Sequence, residues 1–382
     1  MKDVLVFSGG RGSSTLIKAL VKEPNLRLNI LVNAYDNGLS TGVIREVFGI
    51  LGISDIRKTI GTVLKNDVFS EILEERVKIT HKKELFSFFD FGVKKILDAT
   101  PEGNRRYIEK LAADARKLLE SFELPEDEYA FGNILMVPLF KSSNINSAIS
   151  TFLKALGSKH RVYVNSQENL YLVAVTQSGH VLLDEAEIVG GRSSVSIEKI
   201  YLLQKDHLEI AEKLSAENDL FELVEFLKVN NVYPVMADAV CDAVVASDYI
   251  FYAPGTPHSS LYPTYVTTGL AEAIIKSNAK KVFVSNIGAD YETPSYRLSD
   301  YIISTVSYLN ADTSQYLAED LIDVVLASKG SLVDRTKVVL DTKHKVFNGL
   351  EVSVDSFESV EHSGRHSVEA FTNFFNRAQF EW

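Results

Sequence analysis

Residues 4–7 (VLVF) form a short, unbroken apolar run of strand length. Ser8-Gly9-Gly10-Arg11-Gly12-Ser13-Ser14 follows at once, and a helical pattern then runs over residues 15–22 and stops near Pro24. The reading is strand, glycine turn, helix. A second strand over residues 28–33 ends in Ala34-Tyr35-Asp36-Asn37-Gly38-Leu39-Ser40-Thr41-Gly42, too rich in Gly, Asn and Ser to continue a strand or a helix. The two units read as β-α-β with a parallel sheet, since an antiparallel hairpin needs no intervening helix.

Residues 55–125 are helical in pattern, most clearly the amphipathic stretch 104–122, and a further helix is expected at about 131–156, interrupted around Pro138 and residues 142–144. The period then shortens. Runs at 161–165, 170–176, 181–188 and 194–203 are strand-like, separated by Ser166-Gln167-Glu168, Gln177-Ser178-Gly179 and Gly190-Gly191, and suggest an antiparallel β layer. Helical pattern resumes over 207–228. The last third returns to α/β order, with strands at 249–253, 281–285 and 323–327 and helices at 268–276, 299–309 and 367–378. With no internal repeat and no linker-like tract, the expectation is a single α/β domain over residues 1–382. It carries a helical insertion at about 65–130 and a β-rich subregion at about 160–205.

Composition narrows the functions that fit this pattern. Of 382 residues, 46% are hydrophobic and 24% charged, the usage of a folded globular chain. A net charge of −11 removes any general attraction to a polyanion, so nucleic acid is not expected as a partner. No apolar run approaches the ~18 residues that a membrane span needs. Cys241 is the single cysteine, which excludes an intrachain disulfide or a cysteine-based zinc cluster and suits a reducing compartment. A buried apolar role is expected for it. The initial apolar run is shorter than a secretory signal, and a cytoplasmic location is the expectation.

In an open parallel sheet, ligands bind at the carboxyl ends of the strands. Three loops there carry the candidate chemistry. In Gly9-Gly10-Arg11-Gly12, glycine allows close approach of backbone to a phosphate, the following helix offers N–H groups at its start, and Arg11 adds charge. A purely structural tight turn would need the same glycines. Asp36, in the second loop, and Asp55, in Gly49-Ile50-Leu51-Gly52-Ile53-Ser54-Asp55-Ile56-Arg57-Lys58, could together hold a Mg²⁺ that also takes phosphate oxygens. The alternatives are a turn-forming Asp-Asn-Gly for Asp36 and a helix-start acid for Asp55. The third loop, Ala253-Pro254-Gly255-Thr256-Pro257-His258-Ser259-Ser260, offers hydroxyls and an anion nest, with His258 as a candidate acid or base or a loop histidine that only hydrogen-bonds.

Taken together these segments resemble the 2-phospho-L-lactate transferase (CofD) family and its YvcK-like, gluconeogenesis-factor branch. The family's G-G-x-G loop is similar to Gly9-Gly10-Arg11-Gly12, and its D-D-G-G-S-S-G and G-I-L-P-P-G-D-I-R-N segments are similar to Asp36–Gly42 in sequence and to residues 49–58. Its G-N pair is similar to Gly132-Asn133, and its G-P-G-S-L-Y-T-S loop to residues 253–260. Its G-I-A-E-A-I, C-N and G-E-T…S-D segments are similar to residues 269–274, Ser285-Asn286 and Tyr291-Glu292-Thr293…Ser299-Asp300. Seven segments hold their order over about residues 1–65 and 131–310.

The resemblance implies a Rossmann-like, mostly parallel sheet with helices on both faces, and a site for a nucleotide diphosphate or nucleotide sugar. It implies a ligand-binding set of Gly9, Gly10, Arg11, Gly12, Ser13, Arg45, Arg57, Lys58, Asn133, Gly255, Thr256 and Ser259. Asp36 and Asp55 are the implied Mg²⁺ ligands, and the catalytic candidates are Asp36, Asp55 and His258. Two functions follow as expectations. One is a Mg²⁺-dependent transferase that moves a phospho-acid group from a nucleotide-diphosphate donor to an acceptor hydroxyl. The other is a nucleotide-sugar-binding regulator of carbon metabolism and cell-wall synthesis without catalysis. A NAD-dependent oxidoreductase is a third reading, disfavoured because G-x-G-x-x-G is missing. The chain departs from the family at Asn37, where a second carboxylate is usual, at Lys58, where Asn is usual, and at His258, where Tyr is usual. A homodimer is the expected assembly for an α/β protein of this size.

Overall fold

The computed structural model describes residues 1–9, 12–35, 37–64, 67–183, 187–188, 196–217, 219–312, 315–329 and 336–377. Strand β1 (Lys2–Ser8) leads through α1 (Ser14–Val21) to β2 (Leu26–Val32). The strands pair in parallel, Val4 opposite Leu28 and Ser8 opposite Val32. Because side chains alternate along a strand, Val4 and Val6 enter the core on one face of the sheet while Leu5 and Phe7 enter the core on the other. Covered on both sides, β1 reads as a continuous apolar run.

Helices α2 (Leu39–Phe48), α3 (Ser54–Val63) and α4 (Asp67–Glu74) follow. The stretch read as wholly helical then contains a strand, β3 (Arg76–Ile79), before α5 (Lys82–Ala99) and α6 (Arg105–Ser121). β3 pairs antiparallel with β4 (Asp127–Ala130). Four residues in which two basic side chains alternate with two apolar ones are too few to raise a strand signal above the helical pattern around them. The expected break in the next helix is real: α7 (Phe131–Phe140) carries Pro138 near its end, and α8 (Ile145–Ala155) starts behind Asn144, whose side chain accepts from the Ser147 N–H.

Strand β5 (Arg161–Val164), expected in the antiparallel layer, instead extends the main sheet beside β2. Its Val162, Tyr163 and Val164 are all buried, which a strand covered on both faces requires. The antiparallel sheet comprises β6 (Tyr171–Thr176), β7 (Val181–Leu182) and β8 (Ile197–Leu203), in the order β7-β6-β8. Helices Lys205–Ala216 and Leu220–Val229 pack on its outer face through Leu208, Ala211, Leu223 and Leu227. The main sheet resumes with β9 (Tyr249–Tyr252), β10 (Lys280–Val284), β11 (Val324–Ser328) and β12 (Glu351–Asp355).

All seven strands of the main sheet run parallel, in the order β12-β11-β10-β9-β1-β2-β5. The chain winds outward from β1 to β5, then returns to β9 on the other side of β1 and winds outward again. This is the doubly wound, Rossmann-type arrangement, and its switch point is the crevice between the carboxyl ends of β1 and β9. Helices α1, α3, α7 and α8 and the C-terminal helix Val368–Arg377 fill one face; helices Asp238–Val245, Leu270–Lys276 and Leu298–Leu309 fill the other. Among the described residues, no helix is long and apolar enough to cross a membrane.

Candidate functional site at the sheet switch point

The three loops singled out in the sequence meet at this crevice. A Cβ added to Gly12 would lie 2.6 Å from Gly255 Cα and 3.0 Å from the Pro254 carbonyl, so the first and third loops touch backbone to backbone. A Cβ on Gly9 would lie 2.9 Å from Ser260 Cβ. Such contacts admit no side chain, which is why these positions are glycine. Ser13, at the start of α1, does not cap its helix; its hydroxyl bonds instead to Ser8 Oγ at 2.6 Å.

The second loop is tied in from both sides. Asn33 Nδ2 donates to the Ser260 carbonyl at 2.6 Å, and Asn33 Oδ1 accepts from the Tyr35 N–H. The Gly52 N–H donates to the Ala34 carbonyl at 2.8 Å, and the Thr41 and Ser54 hydroxyls bond to each other. The start of α3, with Asp55, is thereby set beside the end of β2. Asp55 is mostly buried, and its Oδ1 accepts from Lys58 Nζ at 2.8 Å. The candidates Gly10, Arg11 and Asp36 lie outside the described residues.

Two arginines expected beside a phosphate have other surroundings. Arg57 is fully buried and donates to Glu74 at 2.8 Å and to Asn133 Oδ1 at 2.9 Å, while Asn133 Nδ2 reaches Ser54 Oγ at 3.1 Å. A chain Thr41–Ser54–Asn133–Arg57–Glu74 thus locks α2, α3, α4 and α7 together. Gly132 belongs to it, because a Cβ there would be 2.8 Å from Arg57 Cδ. Arg45, also fully buried, donates to the Tyr35 carbonyl, to Asn169 Oδ1 and to the Leu170 carbonyl, and lies over the Tyr171 ring. The geometry makes Arg45, Arg57 and Asn133 organisers of the loops.

The loop after β10 closes the crevice from the other side, and its function was not legible in the sequence. Asn286 clamps Gly255, accepting from its N–H and donating to its carbonyl, both at 3.0 Å. Glu292 Oε2 accepts from the N–H groups of His258 at 2.8 Å and Ser259 at 3.2 Å. The anion nest expected in the third loop is therefore capped by the chain's own carboxylate at those two N–H groups. Burial, only partly countered by these hydrogen bonds, pushes the Glu292 carboxyl up to about 8. Asp290, hydrogen-bonded to Thr256, is pushed up to about 6, again by burial. His258 does not face the crevice. Its ring is fully buried against Tyr262, with centroids 5.0 Å apart, and beside Tyr308 at 5.9 Å, and desolvation lowers its imidazole to about 3. The structure thus places His258, a catalytic candidate from the sequence, as a buried imidazole packed among tyrosine rings.

The model of the family described as 2-phospho-L-lactate transferase CofD matches residues 4–371, nearly the whole chain. The chain belongs to the CofD family. A protein of Thermotoga maritima is 24% identical over 309 residues, covering 80% of this chain and 75% of its own. A protein of Halalkalibacterium halodurans named gluconeogenesis factor is 21% identical over 357 residues, covering 90% and 86%. An X-ray structure of a Bacillus halodurans protein superimposes with a TM-score of 0.67 at 18% identity, over 98% of this chain and 99% of the other, and carries the same fold. Within the CofD family, then, this member presents a Rossmann-type crevice closed by four strand-end segments.

Proposed function

We propose that the crevice between β1 and β9 binds a nucleotide diphosphate, and that the protein is a transferase that moves a phospho-acid group from such a donor to an acceptor hydroxyl. The observation that carries this reading is the backbone contact of Gly12 on Gly255 at the switch point, in a chain of the CofD family. Backbone loops without side chains, at the start of α1, are suited to diphosphate oxygens. Gly9, Gly10, Gly12 and Ser13 with Arg11 would hold the donor on one side, and the loop of Gly255, Thr256 and Ser259 would border it on the other, its Gly255 and Ser259 N–H groups being held by Asn286 and Glu292.

In the reaction the acceptor oxygen forms a new P–O bond and the bridging P–O bond of the donor breaks. The nucleoside monophosphate leaves with the bridging oxygen. The hydroxyl proton passes to a carboxylate, for which Asp36 is assigned. Mg²⁺ is usually held by one or two carboxylates together with phosphate oxygens; Asp36 and Asp55 would supply the carboxylates, Asp55 exchanging its contact with Lys58 for the ion. When bound, the ion would neutralise charge on the phosphates, and Lys58, beside Asp55, would add a further positive charge there.

A second reading is a regulator that binds a nucleotide sugar without turning it over; the name of the Halalkalibacterium relative, gluconeogenesis factor, supports a role in carbon metabolism. One titration separates the two. A panel of nucleoside diphosphates and nucleotide sugars, with and without Mg²⁺, shows Mg²⁺-dependent binding for the transferase and metal-independent binding of a nucleotide sugar for the regulator. Asp55→Asn then abolishes turnover in the first case while leaving the fold intact.

A further inference from the structure

Away from the switch point, a cavity of about 460 Å³ opens between β8, the segment 231–233 and helix Leu298–Leu309. That volume lies within the range of small-molecule sites. Its lining includes the tyrosines Tyr233 and Tyr308, the backbone run of β8 around Tyr201, and neutral hydrogen-bonding residues (Ser304, Ser307, Asn231). The charged groups on the wall are one of each sign, Glu198 and Lys199, and Lys199 lies over the Tyr201 ring. Aromatic faces beside hydroxyl and amide groups, with no net charge, suit an uncharged molecule rich in hydroxyls.

The inner wall is shared with the third loop. Tyr308 stacks on Tyr262, with ring centroids 4.3 Å apart and planes at 20°, and meets the edge of His258. Ser304, also on the cavity wall, lies beside the Tyr262 hydroxyl. Tyr308 Oη accepts from the Ile200 N–H of β8, and the first N–H of β8, that of Ile197, donates to the Glu292 carbonyl at 2.9 Å. Behind that wall, Glu292 Oε1 and both ring nitrogens of His258 are buried without a hydrogen-bond partner. Buried polar atoms are normally partnered.

We infer that this cavity is a second ligand site for a small, uncharged, polyhydroxylated molecule such as a sugar or cyclitol, and that its occupancy changes ligand affinity at the crevice through Tyr308, Tyr262 and the 257–261 turn. The site itself is independent of the proposed function; the coupling rests on it. Calorimetric titration of the full chain with glucose and myo-inositol, and with glucose 6-phosphate as the charged comparison, tests the site. At least one neutral probe saturates on the wild type and fails on Ser307→Trp, which fills the cavity from an exposed position, and on Tyr233→Ala, which removes an aromatic face. Melting temperatures of both variants confirm that they are folded. Absence of saturable binding by either neutral probe, or binding that both variants retain, overturns the site; preference for the phosphorylated probe overturns the ligand class.

For the coupling, nucleoside diphosphates are titrated with and without the saturating neutral probe. Affinity shifts by about five-fold or more, and the probe's own affinity shifts by the same factor, as linkage requires. Equal affinities overturn the coupling. Failure of the nucleoside diphosphates to bind in the probe's absence is instead a failure of the proposed function, read from its own titration.

Discussion

Glu292 and His258 touch through the backbone and are both driven toward their neutral forms by burial, with opposite consequences for stability. The folded chain holds the Glu292 proton up to about pH 8, whereas an ordinary glutamate releases it near 4.5. Between those values the folded state binds more protons than the unfolded state, so stability falls as pH rises through the window. His258 titrates near 3 in the fold against 6.5 ordinarily, so the unfolded state binds more protons and stability falls as pH drops from 6.5 toward 3. Glu292→Gln keeps an acceptor for the two N–H groups and removes the ionisation. Melting temperatures measured from pH 5 to 8.5 then lose the decline on the alkaline side in that variant, and an unchanged decline contradicts the assignment. His258→Phe retains the aromatic packing and removes two unpartnered nitrogens. Its affinity for a nucleoside diphosphate stays within about a factor of two of wild type; a large loss would restore His258 to the binding site. At Gly12 the opposite outcome is expected. Gly12→Ala forces the Gly255 backbone away, costing about 1–3 kcal/mol and weakening diphosphate binding, checked by urea unfolding and titration.

At the scale of elements, the path from sequence to structure was clearest where one local pattern decides the outcome. Strand β1, the glycine turn and α1 follow from four consecutive apolar residues and the glycines behind them. The same holds for β9 and β10, covered on both faces. β3 and β12 were not legible. RVKI and EVSVD place polar residues among the apolar ones, and β12, with its side chains only half-buried, is a sheet edge that no composition signal marks. β5 was legible as a strand but not as part of the main sheet, because its partner β2 lies more than a hundred residues away. The candidate site divides in the same way. The glycines and loop positions were readable, but the partners of Arg45 and Arg57 depend on tertiary contacts that no spacing in the sequence encodes. Asn286 and Glu292 sat in recognisable segments, yet only the fold shows that they clamp the third loop. The buried Thr41–Ser54–Asn133–Arg57–Glu74 chain predicts that Arg57→Ala destabilises the protein by about 2–4 kcal/mol, since it strips partners from Asn133 and Glu74 and leaves a cavity. Urea unfolding reads the loss. Corrected for the unfolded fraction, diphosphate affinity is unchanged; a loss of affinity in a fully stable variant would instead place Arg57 on the ligand.

For the whole molecule, the strand order brings the candidate loops to one place. Winding outward twice from β1 leaves a single crevice between β1 and β9. The loops after β1, β2, β9 and β10 close on it through Gly12–Gly255, Asn33–Ser260 and Asn286–Gly255. A net charge of −11 leaves polyanions disfavoured, while Lys58 sits beside Asp55 at the start of α3. The proposed ligand of this crevice is a nucleotide diphosphate at the switch point. Its most direct test is titration of ADP, GDP, UDP and CDP into the wild-type chain with Mg²⁺, repeated on Gly12→Ala. Saturable binding of at least one nucleotide to the wild type, weakened at least about ten-fold in the variant, is the predicted result. No saturable binding by any of the four, or equal affinity in the two proteins, would contradict it.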